Sequence, residues 1–88
     1  MKYTGHISKL IQNNSALNLS NQALGTLMNI IYLEGAISSL ENVRAKNKYA
    51  GTKNKYDVWI KNYSDKLDKI TQKQTPDRLI NMIAKIGS

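Results

Sequence analysis

Apolar residues recur along this chain with helical spacing, and no segment alternates convincingly as a β-strand would. The longest helical pattern begins after Ser20 and extends to about Tyr49 or Ala50. At about 100° of rotation per residue, its two halves carry their apolar residues on nearly opposite faces. The first face comprises Leu24, Leu27, Met28, Ile30 and Ile31, and the second comprises Leu33, Ala36, Ile37, Leu40 and Val43. We therefore expect a long central helix whose two halves are covered by different neighbours.

The central helix has a well-marked start and two interior glycines. Ser20 is a good N-cap residue, and Leu19 and Leu24 have the spacing of a hydrophobic staple. Gly25 and Gly35 each cost about 1 kcal/mol of helix stability relative to alanine. Two interpretations stay open: the glycines allow another helix to approach closely, or the central helix breaks at Gly35.

Gly51 and Thr52 predict a tight turn between the central helix and the third helix. Glycine is favoured just beyond a helix C-terminus, and threonine is a good cap for the helix that follows. The sequence Lys-Asn-Lys-Tyr occurs at 46–49 and again at 53–56. This echo indicates either a coiled-coil seam that continues through Gly51 or a coincidence in a lysine-rich hairpin, and we favour the hairpin.

The third helix has one charged face and one apolar face. Asp57, Lys61, Asp65 and Lys69 are spaced four residues apart with alternating charge, so we expect a solvated, charge-balanced surface there. The aromatic residues of the other face are expected in the core. That face consists of Tyr56, Trp59, Ile60, Tyr63, Leu67 and Ile70.

A shorter helix is predicted at each end of the chain. Thr4 is a candidate cap for the first, and residues 16–19 after it form either a buried connection or an extra turn. Thr75-Pro76-Asp77 signals the start of the last helix, and Gly87 is placed to end it. The expected apolar faces are Ile7, Leu10 and Ile11 in the first helix, and Leu79, Met82, Ile83 and Ile86 in the last.

Together these patterns predict an all-α fold, a small antiparallel four-helix bundle with a long central second helix. A chain of 88 residues provides one domain with a modest core, over residues 1–88. We expect it to be cytoplasmic, because residues 1–10 lack the apolar run of a signal peptide. The longest uninterrupted apolar run, Ile30–Leu33, is far too short to span a membrane.

The composition argues against catalytic or metal chemistry. The chain has no cysteine, and its single histidine, His6, forms neither a metal site nor an acid–base pair by itself. No catalytic motif or phosphate-binding loop is present. We therefore expect a non-enzymatic protein without a cofactor, a metal or a small-molecule substrate.

The formal net charge of +7 is concentrated between residues 44 and 55, a stretch without any acid. This basic cluster could hold phosphates or lipid head groups, with its tyrosine available for stacking, or it could serve only as a solubilising surface. Its members are Arg44, Lys46, Lys48, Tyr49, Lys53 and Lys55.

Glu34 is the acidic residue with the least ordinary surroundings. It follows Ile30, Ile31 and Leu33 at the edge of both apolar faces of the central helix. One interpretation is a partly buried carboxylate of the kind sometimes found at functional sites. The other is an acid that reaches solvent or pairs with a lysine of another helix.

Three parts of the chain resemble the small immunity proteins that protect producers of pediocin-like (class IIa) bacteriocins. Size, basic charge, absence of cysteine and the four-helix pattern agree with that family, and the similar segments touch about a third of the chain. They are Ile7-Ser8-Lys9-Leu10 with Ser15-Ala16-Leu17-Asn18, Leu27-Met28-Asn29-Ile30, and the last-helix stretch Pro76-Asp77-Arg78-Leu79-Ile80-Asn81-Met82-Ile83-Ala84.

The resemblance implies a cytosolic four-helix bundle that acts at the inner membrane face. Such proteins are thought to recognise the sugar-transport receptor engaged by the bacteriocin and to block the lethal pore. In that family the later helices and the C-terminal segment influence which bacteriocin is countered. Arg78, Asn81 and Lys85 of the last helix are therefore candidate partner-binding residues, and the expected partner is a protein in a membrane receptor complex.

Two other functions remain open from the sequence. The first is a small basic nucleic-acid-binding protein of plasmid or phage type, since a short, a long and a third helix also outline a histone-like fold. Against it, the short apolar strand expected after the long helix is missing from residues 48–55. The second is an inhibitor or assembly partner that uses the apolar face around Ile37 and Leu40, including as a homodimer.

Overall fold

A computed structural model describes residues 1–13 and 18–87 of the chain. It contains four helices, α1 (Thr4–Gln12), α2 (Asn21–Lys46), α3 (Ala50–Thr71) and α4 (Pro76–Ala84), and no strand within the described residues. The predicted all-α four-helix fold with a long second helix is confirmed. Residues 16 and 17 of the connection expected at residues 16–19 lie outside the described residues.

The core is formed where α1 and α4 pack against the first half of α2. Ala23, Leu27 and Ile30 of α2 are buried there, together with side chains from both short helices. The predicted apolar face of α4 is confirmed, since two of its four members are buried and two are packed against the core. The contributions from outside α2 are Tyr3, Ile7, Leu79 and Ile83, with Leu10, Leu19, Leu67, Ile70, Met82 and Ile86 partly buried against them.

The start of α2 is set by Ser20, as the sequence predicts. Its hydroxyl oxygen accepts a hydrogen bond from the Ala23 N–H at 3.1 Å and donates one to the Ile86 carbonyl at 2.6 Å. The same side chain therefore caps α2 and holds the end of α4. Threonine caps are less well predicted: Thr4 and Thr52 lie inside helices, and Thr75 at the N-cap of α4 makes no side-chain capping bond.

Both interpretations of the interior glycines are wrong. The α2 helix runs without a break through Gly35. A Cβ atom built at Gly25 or Gly35 would meet nothing within 4 Å, so neither glycine admits a close neighbour. Burial of Ile30, Leu33 and other α2 side chains supplies more free energy than the glycines cost, which keeps the helix continuous.

The two apolar faces of α2 are only partly buried. Leu27, Ile30 and Leu33 are buried, but Met28 is 58% exposed and Val43 is 46% exposed. The cause is length: α1 and α4 have nine residues each and cover only the first half of α2. Within the described structure, no residue between positions 35 and 70 is buried.

The turn between α2 and α3 lies three to four residues earlier than the sequence predicts. The α2 helix ends at Lys46, α3 begins at Ala50, and Gly51 lies in the first turn of α3. Asn47 determines this position, because its side-chain oxygen accepts a hydrogen bond from the Tyr49 N–H at 2.9 Å and stabilises a turn there. The chain reverses at residues 47–49, so the continuous coiled-coil seam is excluded.

The predicted environment of α3 is confirmed for its solvated charged face, where Asp57, Lys61, Asp65 and Lys69 are all exposed, and in part for its apolar face, where Leu67 and Ile70 pack against the core. The prediction that its aromatic residues lie in the core is wrong. Trp59 is 48% exposed, the other apolar-face residues are only half-buried, and Thr71 is the one buried residue of this helix. The expected pairs among Asp57, Lys61, Asp65 and Lys69 are not formed. Instead Asp57 pairs with Arg44 across the turn, the single ion pair within 4 Å among the described residues. Only α2 lies closely along α3, which leaves most of α3 facing solvent.

These features give an elongated molecule, measuring 48 × 23 × 20 Å. Its Cα radius of gyration is 15.0 Å, whereas a compact domain of this length has about 12 Å. We use the name hairpin arm for residues 37–60, the part of α2 and α3 that extends beyond the core.

Candidate binding surfaces

The basic cluster lies at the tip of the hairpin arm. The end of α2, the turn and the first two turns of α3 bring its six residues together. Arg44 is neutralised by Asp57, but among the described residues no acid lies within 4 Å of the four lysines. Tyr49 is 77% exposed between them. The tip therefore offers four unneutralised positive charges and one accessible aromatic ring.

The candidate residues of the last helix form a separate surface. Arg78 and Asn81 of α4 and Lys85 at its C-cap are exposed and lie three and four residues apart, so they share the side of α4 that points away from the core. The α4 helix packs beside Leu27, nineteen residues before the end of α2. At about 1.5 Å of rise per residue, the two candidate surfaces are separated by roughly 28 Å. A partner that touches both must be a large one.

Glu34 is buried, with 7% of its surface exposed, and it anchors α1. Both carboxylate oxygens accept hydrogen bonds from the Tyr3 N–H at 3.0 Å. One of them also accepts from the Thr4 N–H and the Thr4 hydroxyl, each at 2.7 Å. These groups belong to the start of α1, where backbone N–H groups lack partners within the helix. Glu34 is thus a cap supplied by another helix, and the alternative of a lysine partner is wrong.

A cleft between α2 and α3, near the core end of the hairpin, is a surface that sequence reasoning missed. Its volume is about 420 Å³. Leu33 and Ile70 form its apolar floor, and Tyr32 and Tyr63 meet in a T-shaped contact with ring centroids 6.5 Å apart. The residues lining this α2–α3 cleft are Asn29, Tyr32, Leu33, Tyr63, Lys66, Lys69 and Ile70.

Sequence reasoning missed the cleft because it assigned its members to other environments. Tyr63 was expected in the core and Lys69 in a charge-balanced surface, while Tyr32 lies between the two predicted faces of α2 and belongs to neither. The Tyr63 side chain raises the pKa of Tyr32 above its usual value, chiefly through a hydrogen bond between the two side chains and also through charge repulsion.

A second cavity, of about 260 Å³, lies beside the start of α1. Met1, Glu34 and Glu41 contribute to its lining. The Glu34 carboxylate is already engaged by Tyr3 and Thr4, as described above. The described residues contain no group of three or more side chains suited to hold a metal ion.

The α2 helix is long and apolar enough to cross a membrane by length and composition, a test that core helices of soluble proteins also pass.

Comparison of the chain with protein-family models, with curated proteins and with solved structures finds no match. The described structure offers three candidate binding surfaces: the basic tip of the hairpin arm, the exposed face of α4 and the α2–α3 cleft.

Proposed function

We propose that the chain is a non-enzymatic interaction protein of the bacteriocin-immunity type. In this proposal it acts in the cytosol at the inner membrane face and protects the cell from a pore-forming peptide. The observation that carries the proposal is the hairpin arm, which extends beyond the core with exposed apolar side chains and a basic tip. The four-helix fold, which the resemblance to class IIa immunity proteins implies, gives further support.

The exposed apolar surface of the arm is suited to binding a protein partner, because its burial would contribute favourable free energy. Burial of apolar surface contributes about 25 cal/mol per Å², and the arm keeps Val43, Val58 and Trp59 about half exposed until a partner covers them. Aromatic anchors surrounded by charged residues are typical of binding surfaces. The lysines at the tip would favour an acidic partner surface and speed its association.

The direct test is expression of the chain in a strain sensitive to pediocin-like bacteriocins, followed by challenge with a panel of these peptides. Wild-type protein should protect against at least one of them. The double variant Lys46→Glu/Lys48→Glu should protect less, because both lysines are exposed at the tip and their replacement leaves the core intact. Absence of protection against the whole panel, with normal expression, would contradict the proposal.

The exposed Tyr49 among four unneutralised lysines favours nucleic-acid binding as a second candidate function. A footprint of several phosphates gives a steep loss of affinity with rising salt, and a tyrosine ring adds stacking on unpaired bases. Fluorescence anisotropy with labelled duplex and single-stranded DNA, at low and near-physiological salt, tests this function. Submicromolar binding that weakens in Lys46→Glu/Lys48→Glu would place it first, and no binding at low salt would exclude it.

A further inference from the structure

The α2–α3 cleft has an uncompensated positive charge. Lys66 and Lys69 both line it, and no carboxylate does. The Lys66 ammonium lies 5.6 Å from the centroid of the Tyr63 ring, a cation–π contact that leaves its full charge in place. Asp65 and Asp68 are neighbours in sequence, but within the described structure neither lies within 4 Å of a lysine or arginine nitrogen. The cleft is therefore electrostatically suited to an anion.

The cleft also has an apolar part. Leu33 is buried at its floor and Ile70 is half-buried beside it, while Tyr32 and Asn29 at the rim are exposed and carry hydrogen-bonding groups. A volume of about 420 Å³ lies at the small end of ligand pockets, which suits one or two side chains of a partner. Such a site accepts an acidic group and an adjacent apolar group at the same time.

The arrangement of the rings favours a peptide over a nucleic acid. Tyr32 and Tyr63 meet edge to face at 74°, so they leave no parallel slot into which a flat base could stack. An aliphatic side chain, in contrast, packs against rings in any orientation. The lysine ammonium groups then pair with the carboxylate of a neighbouring residue of the same peptide.

We infer that the α2–α3 cleft binds an acidic segment of a protein partner, with a carboxylate at Lys66 and Lys69 and an apolar side chain over Leu33 and Ile70. The inference rests on the proposed function as an interaction protein. It adds a second contact surface, near the core, to the basic tip of the hairpin arm. The partner segment is identified by its chemistry: an Asp or Glu next to a Leu, Ile or Val.

The test is a titration of ¹⁵N-labelled protein, followed by two-dimensional NMR, with an acetylated and amidated pentapeptide of alternating Glu and Leu. Chemical-shift changes should concentrate at the amides of Asn29, Tyr32, Lys66 and Lys69. The same peptide with Gln in place of Glu should bind at least about tenfold more weakly, since it lacks the charge. Changes located elsewhere, no change at millimolar peptide, or equal binding of the Gln peptide would overturn the inference.

Matched variants separate the cleft from the tip. Lys66→Glu/Lys69→Glu should lose at least about tenfold in affinity for the Glu–Leu peptide, whereas Lys46→Glu/Lys48→Glu should retain it. Both pairs are exposed, and unchanged helical circular dichroism confirms that each variant folds. An oligothymidylate that shifts the cleft amides more strongly than the peptide would replace the inference with nucleic-acid binding.

The protection assay separates failure of this inference from failure of the proposed function. If the chain protects cells but the cleft does not bind the Glu–Leu peptide, the inference alone is wrong. If the cleft binds the peptide but the chain gives no protection, the immunity proposal alone is wrong. A protective chain whose protection falls in Lys66→Glu/Lys69→Glu supports both.

Discussion

At the scale of single residues, Glu34 of α2 and Ser20 at the N-cap of α2 hold the ends of α1 and α4. Glu34 takes the unpartnered N–H groups at the start of α1, and Ser20 accepts from its own helix while donating to the end of α4. Each contact links residues far apart in sequence, 30 positions in the first case and 66 in the second. Their loss should therefore affect the packing of whole helices.

The first prediction concerns Glu34→Ala. It leaves the buried N–H of Tyr3 without a partner and removes the cap of α1, so the free energy of unfolding should fall by about 2–3 kcal/mol. Urea denaturation followed by circular dichroism measures this change. Glu41→Ala on the exposed side of α2 is the matched control and should change stability by less than about 0.5 kcal/mol. Equal effects of the two substitutions would contradict the role assigned to Glu34.

The second prediction concerns Gly87, which has φ of +73°. A Cβ atom there would lie 2.8 Å from the Ser20 hydroxyl oxygen, closer than real Cβ contacts allow. Gly87→Ala should therefore lower stability by about 1–2 kcal/mol. Gly51→Ala is the matched control: a Cβ at position 51 meets nothing within 4 Å inside α3, and alanine should stabilise the helix by about 0.5–1 kcal/mol. Melting temperatures should shift in opposite directions, and a shift in the same direction would contradict this account.

At the scale of helices, the short-range signals predict most of the architecture. The cap at Ser20, the Thr75-Pro76-Asp77 start and the periodicity of apolar residues place four helices in the right order. The burial of α3 could not be predicted in the same way. Whether Trp59 and Tyr63 are buried depends on how far α1 and α4 extend along the hairpin. That length is set by the sequences of α1 and α4, and the sequence of α3 does not contain it. The cleft and the Glu34 cap depend on contacts across the fold, so periodicity alone does not reveal them.

The hairpin arm should be the least protected helical part of the described structure. Its backbone hydrogen bonds are close to solvent and no residue of the arm is buried, so local opening costs little free energy. Hydrogen exchange followed by NMR or mass spectrometry should show faster exchange at residues 40–58 than at residues 23–34 of α2. Uniform protection along α2 would show that the arm is stabilised by contacts absent from this fold.

At the scale of the whole molecule, the fold separates stability from the proposed binding. The core end carries the buried residues, and the hairpin arm carries exposed apolar side chains and the basic tip about 28 Å away. A partner can cover the arm without disturbing the core. Substitutions in the arm should therefore reduce binding much more than they reduce stability, whereas core substitutions should do the reverse.

The most direct test of the central claim is photo-crosslinking in living cells challenged with a pediocin-like bacteriocin. The photoreactive residue p-benzoylphenylalanine replaces Tyr49 at the exposed tip or, as a control, the exposed Ile11 of α1, which lies on none of the candidate binding surfaces. We expect position 49 to give a discrete adduct with a membrane receptor component that depends on the challenge, and position 11 to give none. No adduct at position 49, or the same adducts at both positions, would contradict the hairpin arm as the binding surface.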